Sequence, residues 1–473
     1  MITDPFEINI LVSIYIGCLL SILFGSFLFK KDYYNWSPVI FWILTAWSVF
    51  VNLTTPRNLD YTSGSINDMG WHFAAKWTFV MQLGAYLTTG ILLIALFSLL
   101  VNVIREGIPG TGFSIWMFFV LFTLSPVASA FLGTPGGGFS QRLFYPGLIM
   151  TIIWLTVVRP WDNFVAYAKK AGLAYIWGSL IVAVLDPKWA LLSGGGTSIS
   201  KNMLVHFSYR LFGVAGNANG LSPIALCYLL LDFKEPTGNI LLRYLFRFAA
   251  LAVIILTQTK TVWIVSLVCL MALLMYSQSP GKPGDYSDTH NNAMFYRFFV
   301  ALLVVFPAMG LLGWIVMSLG QAGIAEWLSG RVELWMATIK LWSQNPLFGY
   351  GPDIWSGNFK LLNQIKSHSA GGQAHNMFVQ TLGMAGLFGL MFLLLFFFSL
   401  FKGAWETRNA TKGLSLCFFM LIFLRCMTES PLNSKSIDEG MLTNVIAIGV
   451  SIMMLKEFRK SIDIPKSPSL DKP

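Results

Sequence analysis

Apolar runs of about membrane-spanning length recur along almost the whole of this 473-residue chain, and they leave it few ways to fold. They lie near residues 8–29, 36–53, 79–103, 114–132, 143–158, 171–185, 217–231, 241–257, 262–276, 298–319, 378–401, 413–426 and 440–455. A segment in lipid has to satisfy its backbone N–H and C=O groups within itself, so helices are the economical choice. The sequence therefore predicts an all-α fold, a polytopic transmembrane bundle of about 12–13 spanning helices forming one integral membrane domain over 1–473. Charge supports this. Only 11% of residues are charged, whereas a soluble domain carries roughly a quarter. Trp36, Trp71, Trp77, Trp161 and Trp189 stand at the ends of apolar runs, as interfacial belts require.

A net charge of +10 would suggest nucleic acid in a soluble protein. Here the basic residues sit in short connections, where they set orientation, and no nucleic acid is expected. A cytoplasmic C-terminus puts Lys30 and Lys31, Arg105, Arg159 with Lys169 and Lys170, Lys234 with Arg243 and Arg247, Lys402 with Arg408 and Lys412, and the tail over 457–473 on the inside. The alternation holds from loop to loop. The first run, from about Ile8 to Phe29, is too long for a signal h-region and lacks a basic start. Cys18, Cys227, Cys269, Cys417 and Cys426 all lie in apolar segments with no CxxC pair, which reads as small core residues rather than a disulfide framework or a zinc site.

Two connections on the opposite side are long, about 186–216 and about 320–377, and loops of such length in a compact protein are usually functional. In the second, Gln321–Trp342 sets Ile324, Trp327, Leu328, Val332, Trp335, Ile339 and Trp342 on one broad apolar face, predicting an amphipathic helix near the membrane surface. Three clusters follow one another: Gly330-Arg331-Val332-Glu333-Leu334-Trp335, then Asn345-Pro346-Leu347-Phe348-Gly349-Tyr350-Gly351, then His375-Asn376 before Gly383, Gly386 and Gly389. Upstream stand Arg210-Leu211-Phe212-Gly213 with Asn217-Ala218-Asn219-Gly220, and Thr257-Gln258-Thr259-Lys260-Thr261.

Over about residues 325–392 this pattern resembles the O-antigen ligase and O-antigen polymerase superfamily. The upstream elements resemble it more weakly: Ala218 stands where the family has proline, and Lys260 where many members have arginine, which keeps the charge but loses the bidentate fork. The first 190 residues match in hydropathy alone. The resemblance implies an inverting, metal-independent glycosyltransferase without a cofactor, in a bacterial inner membrane with its active site facing the periplasm. Its partners would be an undecaprenyl-diphosphate-linked glycan, an acceptor glycan or glycolipid, and membrane lipid. Breaking a glycosyl–phosphate bond releases a diphosphate that needs positive charge nearby, and arginine is the natural clamp. A neutral histidine accepts the proton of the attacking hydroxyl.

The resemblance thus assigns catalysis to His375 and Arg331, with His368 competing for the base role, and substrate binding to Arg210, Lys260, Asn217, Asn219 and Asn376. No metal site is expected. Each residue also has a plainer reading. His375 could be an interfacial histidine satisfied by backbone, and His368 a solvated loop residue. Arg331, Arg210 and Lys260 could snorkel, Asn217 and Asn219 could cap the following helix, Glu333 could orient Arg331 or face water, and Arg425 and Glu429 could pair at one helix end. The reading is a ligase acting on a lipid A core, with a polymerase joining lipid-linked repeat units as the alternative and a transporter of an anionic substrate as the second. Few charges fall in mid-helix, which favours surface chemistry over translocation.

Overall fold

The computed structural model describes residues 5–28, 36–54, 79–132, 141–159, 163–193, 209–276, 331–352, 354, 373–433 and 436–463. Helices occupy twelve of the thirteen apolar runs; the run at 298–319 lies outside the described residues. In chain order they are α1 (Pro5–Leu28), α2 (Ser37–Thr54), α3 (Phe79–Glu106), α4 (Phe113–Leu132), α5 (Tyr145–Val157), α6 (Phe164–Leu185), α7 (Ala218–Lys234), α8 (Ile240–Leu256), α9 (Lys260–Tyr276), α10 (Arg331–Trp342), α11 (Met377–Thr407), α12 (Leu414–Thr428) and α13 (Glu439–Asp463). Among the described residues, six helices are long and apolar enough to cross a membrane: α2, α3, α4, α6, α11 and α13. Among the described residues, α5, α7, α8, α9 and α12 are shorter, at 13–17 residues. At 1.5 Å per residue they reach about 20–26 Å, short of a hydrocarbon core of about 30 Å.

The bundle is built around α12 and α13. Every residue from Leu414 to Cys426 is buried, and α13 packs against α5, α7, α11 and α12. A helix that is apolar all round belongs inside. The peripheral helices point Phe97, Ile104, Val184, Leu267 and Phe398 outward instead, a surface suited to lipid. Helices α4 and α11 approach closely through small residues: a Cβ at Gly389 would lie 2.8 Å from Ser125 Oγ. The cysteines behave as core residues. Cys269 and Cys417 meet where α9 crosses α12, each thiol donating to the other's carbonyl at 3.7 and 3.5 Å.

Several cations expected in loops lie on helices. Lys169 and Lys170 belong to the second turn of α6, Arg243 and Arg247 to α8, and Lys402 to α11. The helices overrun their apolar runs because a partner waits at the end. Asp232, wholly buried near the end of α7, holds Lys169 Nζ on one oxygen and Arg247 Nε on the other, both at 2.7 Å. Thr237 adds its backbone amide and hydroxyl at 2.9 and 2.7 Å. One carboxylate thereby ties α6, α7 and α8 together.

A feature the hydropathy did not suggest is a short antiparallel ladder, β1 (Leu191–Ser193) with β2 (Tyr209–Leu211), in register Leu192 to Arg210. It places Arg210 on a strand ahead of α7.

Candidate active site

Four side chains from four elements form one unbroken line at the start of α7. Arg210 on β2 donates from Nε to the Thr257 carbonyl (2.8 Å) and from Nη2 to Asn219 Oδ1 (2.7 Å). Asn219, in the first turn of α7, turns its amide nitrogen to Glu429 Oε1 at 2.9 Å. Glu429 ends α12, and its second oxygen lies 2.7 Å from His375 Nδ1. The amide is thus used at both ends, oxygen to the cation and nitrogen to the carboxylate. A carboxylate only accepts, so Nδ1 carries the proton toward Glu429, and in a neutral imidazole that leaves the lone pair on Nε2.

His375 is held by its neighbours. Its φ is +50°, a left-handed conformation that costs a non-glycine residue about 1–3 kcal/mol unless the surroundings impose it. They do so from both sides. Trp335 Nε1 on α10 donates to the Ala374 carbonyl at 2.7 Å, and the buried Gln380 side chain accepts the Ala374 amide at 2.5 Å. On the other side Asn376 caps α11, accepting from Phe378 and Val379 amides at 3.0 and 3.1 Å and donating to the Met427 carbonyl at 3.0 Å. The imidazole is about a quarter exposed, so it is fixed yet reachable.

The Asn345–Gly351 cluster is a splice between loop and helix. Helix α11 breaks at Gly386 (φ 59°, ψ −153°), a conformation essentially restricted to glycine. The break frees carbonyls and amides, and the loop takes them up. Tyr350 and Gly351 amides donate to Gly383 and Met384 carbonyls, both at 2.9 Å, and Leu387 and Phe388 amides donate to Pro346 and Leu347 carbonyls at 2.8 and 3.1 Å. A Cβ at Gly349 would lie 2.7 Å from the Gly383 oxygen, so the contact admits glycine only. Burial raises the Tyr350 hydroxyl above its ordinary pKa, and it stays protonated against Gln344. The splice anchors the connection that carries α10, and α10 carries Trp335.

The other expected site residues fall as follows. Lys260 is exposed at the start of α9, directly after the turn whose Thr257 carbonyl receives Arg210. That turn docks on the line: Gln258 donates to the Tyr209 carbonyl at 2.8 Å and Thr259 to the Ala218 carbonyl at 3.2 Å. Asn217 caps α7, accepting the Gly220 amide at 2.8 Å. Arg331 is the first residue of α10, one turn before Trp335; its side chain and that of Glu333 lie outside the described residues, as does His368. Gln380 was not singled out by sequence, Trp335 was read as part of the Gly330 cluster and of an apolar helix face rather than as a support for His375, and Glu429 was read as a partner of Arg425. A signal existed for Glu429: a carboxylate at a helix C-terminus opposes the helix dipole, which asks for another reason to be there.

Residues 245–394 match the family model described as O-antigen ligase. The segment carries Lys260, Arg331, His375 and Asn376, while Arg210, Asn219 and Glu429 lie on either side of it. The match supports the O-antigen ligase and polymerase superfamily that the motifs resemble, and with it a membrane glycosyltransferase whose substrates are, in general terms, a lipid-linked glycan and an acceptor. No curated protein matches the chain.

Proposed function

We propose that this protein transfers a glycan from undecaprenyl diphosphate to an acceptor sugar hydroxyl at the periplasmic face of a bacterial inner membrane, as an O-antigen ligase whose acceptor is the lipid A core. The observation that carries this reading is the continuous line from a guanidinium to an imidazole through Asn219 and Glu429. One end of the line is a cation suited to a diphosphate, the other a base suited to a hydroxyl.

In the proposed step His375 Nε2 takes the proton of the acceptor hydroxyl as its oxygen attacks the anomeric carbon. The carbon–oxygen bond to phosphate breaks, and the diphosphate leaves with the electron pair. Attack from the face opposite the leaving group inverts the configuration. The imidazolium that forms lies against Glu429 at 2.7 Å, and the line continues to Arg210, so charge created at one end is met at the other. Arg210, Lys260 and Arg331 are the proposed diphosphate contacts. Asn219 aligns Arg210, while Asn217 and Asn376 act on the site through the helix ends they cap. His368 remains the competing base. The step calls for neither metal nor cofactor.

The test is reconstitution with labelled undecaprenyl-diphosphate glycan and a lipid A core acceptor. His375→Ala and Arg331→Ala in correctly inserted protein should lower transfer sharply, His375→Ala on the order of 10³-fold. Movement of labelled substrate across the vesicle wall, unaffected by either substitution, would contradict the reading and favour a transporter. Deletion of the gene distinguishes the two glycan branches: lipid-linked polymer accumulating without long chains on the core means ligase, and cores bearing single repeat units mean polymerase. Orientation is tested with Leu347→Cys in the exposed loop; a membrane-impermeant thiol reagent should label it from the periplasmic side, and labelling from the cytoplasmic side alone would reverse the topology.

A further inference from the structure

A second carboxylate is buried behind the line and takes no part in the chemistry proposed above. Glu439 opens α13 and is 5% exposed. An acid in a first helical turn ordinarily serves the helix dipole from the surface. Here the adjacent Asp438 already does the capping, accepting the Met441 amide at 2.9 Å. The Glu439 side chain turns inward, beneath the Gly213–Gly220 turn that leads from β2 into α7. The Asn52 side chain and the Asn217 backbone amide hydrogen-bond its carboxylate. A Cβ at Gly220 would sit 2.2 Å from Glu439 Cγ, and one at Gly216 would sit 3.1 Å from Oε1. Both glycines are therefore shaped around this one side chain.

The rest of the turn is gripped in the same way. Asn52 on α2 donates to the Val214 carbonyl at 3.1 Å, and Ser179 on α6 accepts the Val214 amide at 3.1 Å. Gly213, at φ +60°, packs so tightly on Ser179 that a Cβ would lie 2.2 Å from the serine Cβ. The inner side of the turn rests on α2, α6 and α13, while Gly216 and Asn217 face outward. Asn219 follows two residues later.

We infer that Glu439 is a positioning residue: its buried carboxylate fixes the Gly213–Gly220 turn, and through Asn219 it sets where Arg210 meets the donor diphosphate. The inference rests on the glycosyltransferase reading. It explains why an acid is tolerated in the interior: its oxygens meet the Asn217 amide, in a segment with no regular structure of its own, and the Asn52 side chain on α2.

The experiment measures binding of undecaprenyl diphosphate to the full-length protein in nanodiscs, alongside transfer kinetics, for Glu439→Gln, Glu439→Ala and Asn52→Ala. Glu439→Ala should weaken binding and raise the donor KM by about tenfold, with the acceptor KM unchanged. Glu439→Gln keeps the shape and one acceptor oxygen and should lose only about threefold, and Asn52→Ala should lose about the same. Equal rises in both KM values, or wild-type donor affinity in Glu439→Ala, would overturn the assignment. Should Glu439→Ala fail to insert, wild-type donor affinity in Asn52→Ala overturns it equally. His375→Ala in the same membranes separates the two ideas. If it transfers normally, the enzymatic reading falls; if it is inactive while Glu439→Ala binds like wild type, only the role of Glu439 falls.

Discussion

Helix α7 carries a charge cluster at each end, and the two are built for different purposes. Asn219 and Asp232 lie thirteen residues apart along it, about 20 Å at 1.5 Å per residue. At the Asp232 end a single carboxylate is surrounded by Lys169, Arg247 and two donors from Thr237. Both oxygens are taken, by partners from α6, α8 and the connection between α7 and α8. At the Asn219 end the same ingredients are strung out in a line. Each group uses part of its hydrogen-bonding capacity on the next, and the line ends on an imidazole that is partly exposed. A closed cluster clamps helices together; in the proposed reaction the open line joins the diphosphate contact to the base. Presence of buried charge alone does not separate the two, since both ends hold a buried or half-buried acid. The arrangement does: donors ring one carboxylate at the Asp232 end, while the other end is a line that finishes on a partly exposed imidazole.

The comparison can be broken by substitution. His375→Ala should cost on the order of 10³-fold in transfer rate while thermal unfolding in detergent stays at the wild-type temperature, because only the open end does chemistry. Asp232→Ala should do the reverse, lowering stability by about 3 kcal/mol by leaving two cations without their shared partner, with transfer per folded molecule unchanged. A rate loss in Asp232→Ala measured on folded protein would erase the distinction. Glu429→Gln sharpens it. The amide keeps the shape but no longer stabilises an imidazolium, so the rate should fall on the order of 10²-fold, with a smaller change in unfolding temperature than Asp232→Ala shows. Asn219→Ala should be the mildest, about tenfold, seen mainly as a higher donor KM because Arg210 loses its alignment.

Which parts of this were readable in the chain follows from where the constraint lies. Helices at twelve apolar runs are legible because lipid acts on each segment separately, without reference to any other. His375, Asn219 and Arg210 were legible as residue types in a familiar spacing. Glu429 was not, because its role depends on His375, 54 positions away, and on Asn219, 210 positions away. The Gly383, Gly386, Gly389 series reads as small residues on a helix face. That Gly386 breaks the helix to receive the Asn345–Gly351 loop depends on backbone donors from a remote segment that no local pattern announces. The β1–β2 ladder escaped for a related reason, since strands of three residues carry no period to detect. Glu439 was not singled out, because an acid in the first turn of a helix carries no mark of burial against glycines of another segment.

The central claim is that His375 and Glu429 act as one unit in the reaction. It is tested most directly by a double-mutant cycle on transfer rate with His375→Ala, Glu429→Gln and the pair together. Residues that work as a unit are strongly non-additive. The double variant should therefore be no slower than His375→Ala alone. Losses that simply multiply, or a His375→Ala protein transferring glycan at the wild-type rate, would contradict the account.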